Sequence, residues 1–170
     1  IVVNSNQVLI TKGYGLGGRL WQVQQNADGQ WETETIWEKN AVLKTKFTSA
    51  VVRGEFAYAL SDGILECVEI ATGKRMWKRG RYRQGQVLLV GDHLVVTSEG
   101  GEVVLVQATS DNFVELGRKQ VIGNVSWNTA ALVGDTLLMR NSDEMANVRL
   151  PATLAESGAT DESQLQRETL

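Results

Sequence analysis

The chain has 170 residues, of which 42% are hydrophobic and 22% are charged, a composition typical of a folded globular domain. Its formal net charge of −3 at pH 7 lacks the positive excess with which nucleic-acid-binding domains neutralise phosphates. No apolar run approaches the ~20 residues that a membrane-spanning helix needs. We therefore expect no nucleic-acid partner and no membrane span.

Four segments of the chain repeat one pattern, in which an alternating apolar stretch, a small turn and a second apolar stretch lead into a third stretch. Two β-branched and aliphatic runs flank Gly91-Asp92, which is a hairpin signal. Units of roughly 40 residues with three or four strands are typical of propeller blades. We predict an all-β fold, a β-propeller of about four antiparallel blades, with these bounds: 1–38, 46–80, 84–120 and 125–150.

The second unit carries the most specific signature. Its third and fourth strands resemble the repeat of the pyrroloquinoline-quinone-type (PQQ-like) β-propellers, in which Gly and Leu begin one strand and a Thr-Gly-Lys turn leads to a Trp. The matching positions are Gly63, Leu65, Thr72, Gly73, Lys74 and Trp77. The other units match by pattern alone, and their alignment places four valines in one column: Val23, Val68, Val106 and Val148.

In this family the Trp after the Thr-Gly turn docks between neighbouring blades, so the resemblance implies a blade-closing role for Trp77 and Trp37. Family rings commonly have eight blades, and the four blades here are expected to be the C-terminal half of a larger ring. Three arrangements stay open: a piece of a longer protein, two half-rings that self-associate, or a closed four-bladed ring. The resemblance also implies a periplasmic or extracellular location.

The family contains dehydrogenases and non-enzymatic members. The dehydrogenases use a Trp platform, adjacent cysteines, a calcium ion and an Asp base, whereas this chain has one cysteine, Cys67. We predict a non-catalytic scaffold that binds a protein or peptide, without catalytic residue, cofactor or metal. Two alternatives stay open: part of a PQQ-dependent dehydrogenase whose site lies in other blades, and a surface polysaccharide binder. Exposed Trp21, Trp31 or Trp127 on one rim would support the second alternative. The candidate partner-binding rim comprises Asp62, Glu99, Trp21 and Trp127.

The stretch from residue 72 to residue 85 is strongly basic, with six of the chain's 17 Lys and Arg residues. We interpret it as a turn and the outer edge strand of a blade, because basic side chains on edges discourage aggregation. Strand alternation predicts Arg75, Trp77 and Arg79 on one face.

Two further segments have simpler interpretations. The stretch "GYGLGG" at residues 13–18 matches a dinucleotide-binding pattern, but an alternating stretch follows it where that motif requires a helix. It is therefore predicted to be a loop between strands. Residues 151–170 are rich in Ala, Ser, Thr, Glu and Gln, and we predict a disordered tail with a helical turn.

Overall fold

The structure is a computed structural model that describes residues 1–151. Within this range the chain forms 15 β-strands and no helix, so a helix able to cross a membrane is also absent from these residues. The predicted disordered tail lies outside the described residues, apart from Pro151.

The strands form four antiparallel sheets, and in each of them the strands are neighbours in chain order. Sheet 1 consists of β1 (Val2–Asn4), β2 (Gln7–Lys12), β3 (Gly17–Gln25) and β4 (Trp31–Lys39). Sheet 2 consists of β5 (Val51–Arg53), β6 (Phe56–Ser61), β7 (Ile64–Glu69) and β8 (Lys74–Arg81). Sheet 3 consists of β9 (Gly85–Val90), β10 (His93–Ser98), β11 (Glu102–Gln107) and β12 (Glu115–Gln120). Sheet 4 has three described strands, β13 (Ala131–Val133), β14 (Thr136–Arg140) and β15 (Met145–Arg149). The predicted all-β architecture is thereby confirmed. Strand β3 begins at Gly17, within "GYGLGG", so a strand and not a helix continues from this stretch, and the loop is limited to its first residues.

Tight turns join the first two strands of sheets 2, 3 and 4. In sheet 3, Val90 pairs with His93, so Gly91 and Asp92 form the predicted two-residue turn. The first turn residues are glycines with φ of 54–58°, and this left-handed backbone suits a residue without Cβ: Gly54, Gly91 and Gly134.

Consecutive sheets pack face to face, and one hydrophobic cluster fills each of the three interfaces. Strand β6 shows how a sheet serves two interfaces. Its Ala57 and Ala59 face sheet 1, whereas Tyr58 and Leu60 face sheet 3, and all four are buried. No cluster within residues 1–151 joins sheet 4 to sheet 1, so these residues do not form the closed four-bladed ring that the sequence left open.

The register corrects the predicted column of valines. Trp21 pairs with Val8 in sheet 1 as Val68 pairs with Ala57 in sheet 2, so Trp21 and not Val23 occupies this position. Strand β3 has nine residues and β7 has six. Because of this difference in length, an alignment by sequence spacing alone put the wrong residue of β3 in the column. Trp21 therefore lies on the outer face of sheet 1, the face that sheet 2 does not cover.

The alternation predicted for the basic strand β8 holds for Trp77 and Arg79, whose partners Cys67 and Leu65 share a face. It is wrong for Arg75, because a β-bulge interrupts the strand. Arg75 pairs with Val68 and Trp77 pairs with Cys67, which leaves Met76 as an inserted residue and turns Arg75 and Trp77 to opposite faces. Arg75 now lies on the face of sheet 2 that packs against sheet 1.

A buried carboxylate explains why this face of β8 is basic. The Glu66 side chain is fully buried, and a buried charge requires partners. It accepts hydrogen bonds from the Leu43 backbone N–H and from Arg75 Nε, the latter at 2.9 Å, and Lys78 Nζ lies 3.8 Å away. Part of the basic stretch therefore neutralises an internal acid.

We predict that Gly63→Ala destabilises the fold more than Gly54→Ala. Both glycines have positive φ, 78° and 55°, which costs an alanine about 1–2 kcal/mol. At Gly63 the added Cβ would also lie 2.8 Å from the Arg83 carbonyl O, whereas nothing lies within 4 Å at Gly54. Urea unfolding should show an extra loss of about 1–2 kcal/mol for Gly63→Ala, and equal losses would contradict this packing.

Candidate functional site

One side of the stacked sheets is formed by the linkers between sheets, namely linker 1 (residues 40–50), linker 2 (residues 82–84) and linker 3 (residues 121–130). The turns between the second and third strands of each sheet lie on the same side. Lys44 O accepts a hydrogen bond from Asp62 N at 3.0 Å, and Glu99 O accepts one from Ser126 N at 2.9 Å. We call this surface the linker face.

Two exposed aromatic side chains from different linkers contact each other on the linker face. Phe47 of linker 1 and Trp127 of linker 3 are stacked, with ring centroids 6.1 Å apart and ring planes 19° apart. Their exposed fractions are 69% and 64%. Large aromatic side chains ordinarily lose most of their contact with water on folding. The exposure of both rings is therefore unusual for residues that have no structural role.

The backbone beneath the pair is held on both sides. Gln86 Nε2 of β9 donates a hydrogen bond to Phe47 O at 2.6 Å. Ser126 Oγ, next to Trp127, donates to Arg140 O at 2.8 Å. Trp127 Nε1 donates to Glu99 Oε2 at 3.2 Å. Hydrogen bonds to neighbouring sheets therefore hold the two rings in place.

The charges of the linker face divide into two regions. On the side of sheets 1 and 2, Asp62 pairs with Lys44 at 2.5 Å and Lys46 at 3.1 Å. The hydrogen bond from Lys44, followed by that from Lys46, holds the pKa of the Asp62 carboxyl below its usual value against the effect of burial. Lys46 also lies over the ring of Tyr14, 5.4 Å from its centroid. In this region the Asp62 carboxylate is already paired with two lysines.

On the side of sheets 3 and 4, three carboxylates surround linker 3. Glu144 Oε1 accepts a hydrogen bond from Gly123 N at 2.5 Å, and Asp143 Oδ2 accepts one from Asn124 Nδ2 at 3.1 Å. Glu99 lies at the edge of the Trp127 ring, where its Oε2 accepts the indole N–H. None of the three carboxylates belongs to an ion pair among residues 1–151.

The linker face brings together part of the predicted rim. Trp127 and Glu99 are in contact, and Asp62 connects to them through linker 1, which carries Phe47. Trp21 is not part of this surface, because it lies on the outer face of sheet 1. Trp31, at the start of β4, is 71% exposed at the opposite ends of the strands. The three tryptophans that were candidates for polysaccharide binding thus share no rim.

Sequence reasoning missed Phe47. It stands alone among polar residues in a linker, and nothing in the repeat marks it, because linkers lie outside the repeated strands. The available signal was an isolated aromatic residue within "KTKFTSA", which has no alternating neighbours to pack with.

The predicted blade-closing tryptophans lie at the interfaces between sheets. Trp37 Nε1 of sheet 1 donates a hydrogen bond to Ile70 O of sheet 2 at 2.7 Å. Trp77 Nε1 of sheet 2 donates to Thr109 O of sheet 3 at 2.8 Å. Each ring thus makes a polar contact just after the third strand of the next sheet.

The Thr-Gly-Lys turn of sheet 2 is shaped to receive Trp37. Gly73 has φ of 64°, and a Cβ there would lie 2.9 Å from the Trp37 ring. The Thr72 hydroxyl accepts a hydrogen bond from Lys74 N at 3.1 Å and donates to the Glu69 carboxylate. Leu65 is fully buried at the interface between sheets 2 and 3.

The reactive residue types are placed apart from the linker-face pair. Cys67 is buried, and burial raises the pKa of its thiol to about 12, so the thiolate is scarce at neutral pH. His93 begins β10 at the Gly91-Asp92 turn. Among residues 1–151, no group of three or more His, Cys, Asp or Glu side chains is placed to hold a metal ion.

Comparisons with known proteins identify the fold. No family model and no curated sequence matches the chain. The crystal structure of BamB from Moraxella catarrhalis, a β-propeller, is similar with a TM-score of 0.61 at 12% identity, over 88% of this chain and 42% of that chain. The computationally designed Ika8 protein is similar with a TM-score of 0.51 at 12% identity, over 88% of this chain and 57% of that chain. The four sheets are therefore β-propeller blades, and the chain spans about half the length of these solved structures.

We predict that Trp77→Phe lowers the free energy of unfolding by about 1 kcal/mol, because it removes the hydrogen bond to Thr109 O and keeps an aromatic ring. Trp77→Ala should cost about 3–5 kcal/mol, because it also leaves a cavity between sheets 2 and 3. Urea unfolding measures both losses. Trp31→Ala is the matched control and should change stability little, and an equal loss there would contradict a docking role for Trp77.

Proposed function

We propose that this chain is part of a non-catalytic, PQQ-like β-propeller scaffold that binds a protein or peptide through its linker face. The observation that carries this proposal is the exposed, stacked pair Phe47–Trp127. The carboxylates of linker 3 and Glu99 border this contact area.

The chemistry of the pair suits protein recognition. Tryptophan and other large aromatics dominate the energy of protein interfaces because they desolvate a large area at small conformational cost. Phe47 and Trp127 lose little conformational freedom on binding, since hydrogen bonds to Gln86, Arg140 and Glu99 already fix their surroundings. A rigid scaffold that presents residues on its connecting segments is a common design for binding proteins.

Two further points support binding over catalysis. The thiol of Cys67 is buried and poorly ionised, so it is a weak candidate for redox or nucleophilic chemistry. The similarity to BamB from Moraxella catarrhalis, at 12% identity, favours a propeller of this kind and a periplasmic or cell-surface location. The blade-closing role of Trp37 and Trp77 belongs to the same proposal.

The outer face of sheet 1 is a separate surface. Val8, Ile10 and Trp21 are half-buried there, at positions that are packed between sheets elsewhere in the repeat. Self-association of two half-rings, one of the arrangements that the sequence left open, would cover this face and Leu138 of sheet 4. It stays a prediction, distinct from binding at the linker face.

The test is selection of binders from a random peptide library against the full chain. Peptides that bind the linker face should lose about 30-fold in affinity with Trp127→Ala, which corresponds to a loss of about 2 kcal/mol. Phe47→Ala should weaken the same peptides, because it removes the stacked neighbour. Isothermal titration calorimetry measures the affinities.

Trp31→Ala is the control for this experiment, because Trp31 is equally exposed but lies at the opposite ends of the strands. It should leave the affinities unchanged. Selected peptides that bind the Trp127→Ala variant as tightly as the unaltered chain would place the binding surface elsewhere and overturn the proposal.

A further inference from the structure

Resting on the proposed function, we propose that the linker face recognises an arginine side chain of its partner. The guanidinium would stack on the exposed Trp127 ring and pair with Glu99 at the ring edge. The partner segment would thus be a basic peptide with an apolar residue beside the arginine, placed to contact Phe47.

The geometry at Trp127 is suited to a planar cation. The indole N–H is already bound by Glu99 Oε2, so the ring offers a partner its π-face and no donor. A guanidinium is attracted to such a face, and it can donate at the same time to a carboxylate at the ring edge. Glu99 Oε1 accepts no hydrogen bond from any residue described by the structure, and it is available for this contact.

The charges around linker 3 favour a cation over an anion. Glu99, Asp143 and Glu144 form no ion pair among residues 1–151, although Asp143 and Glu144 accept uncharged hydrogen-bond donors. None of the three is therefore offset by an ion pair among these residues, and together they favour a cation beside the aromatic pair.

The other side of the linker face lacks this property. Asp62 is neutralised by Lys44 and Lys46, and Lys46 is already placed over the Tyr14 ring. The chain thus contains its own example of a cation held by an aromatic ring and a carboxylate. Around Trp127 the ring and the carboxylate are present, and the cation is left for the partner to supply.

The test compares two forms of each linker-face peptide selected from the library. In one form every arginine is kept, and in the other arginine is replaced by citrulline, which has a similar shape and no charge. We expect citrulline to weaken binding to the full chain about 10-fold. Glu99→Gln should weaken the arginine peptide by a similar factor and leave the citrulline peptide nearly unchanged. Asp28→Asn, the same charge change in the β3–β4 turn, is the control and should have no effect.

Three outcomes are informative. Arginine peptides that depend on both Trp127 and Glu99 support the inference. Peptides that need Trp127 but bind equally well with citrulline, or bind Glu99→Gln unchanged, overturn the inference and leave the proposed function standing. A library that yields no peptide preferring the unaltered chain over the Phe47→Ala/Trp127→Ala variant overturns both.

Discussion

The two-sided burial of each sheet is the constraint on which the rest of this structure depends. In β6 every second residue belongs to the core shared with sheet 1, and the residues between them belong to the core shared with sheet 3. Such a sheet cannot be stable alone, because it would expose one apolar face to water whichever way it turned. The stacking of sheets, the docking of Trp37 and Trp77, and the fixed positions of the linkers all follow from this requirement.

The packing between sheets also fixes the conformation of the linkers. Leu43 of linker 1 is fully buried between sheets 1 and 2, and its backbone N–H binds the buried Glu66 carboxylate. Ile122 of linker 3 is buried between sheets 3 and 4. Because both linkers are tied to interfaces, Phe47 and Trp127 can be held against each other although 80 positions separate them in the chain. A surface contact between distant segments thus depends on the cores below it.

The strands could be predicted from sequence because they repeat, whereas the site could not because it does not repeat. The apolar runs around Gly91-Asp92 marked two strands, and the Thr72-Gly73 turn marked the family resemblance. Trp127 and Glu99 were chosen as rim candidates, but the stacking of Trp127 on Phe47 arises from tertiary packing that no local pattern encodes. The face assignment of Arg75 failed for a related reason, since a single bulge residue reverses alternation.

Hydrogen exchange of backbone amides tests the central claim most directly. Sheets 2 and 3 are covered on both faces, whereas sheets 1 and 4 are covered on one face in this chain. We predict that amides of β6 and β10 exchange at least about 10-fold more slowly than those of β2 and β14, because opening a doubly covered sheet disrupts two cores. Equal protection in all four sheets would contradict the account, since stability would then not depend on neighbouring sheets.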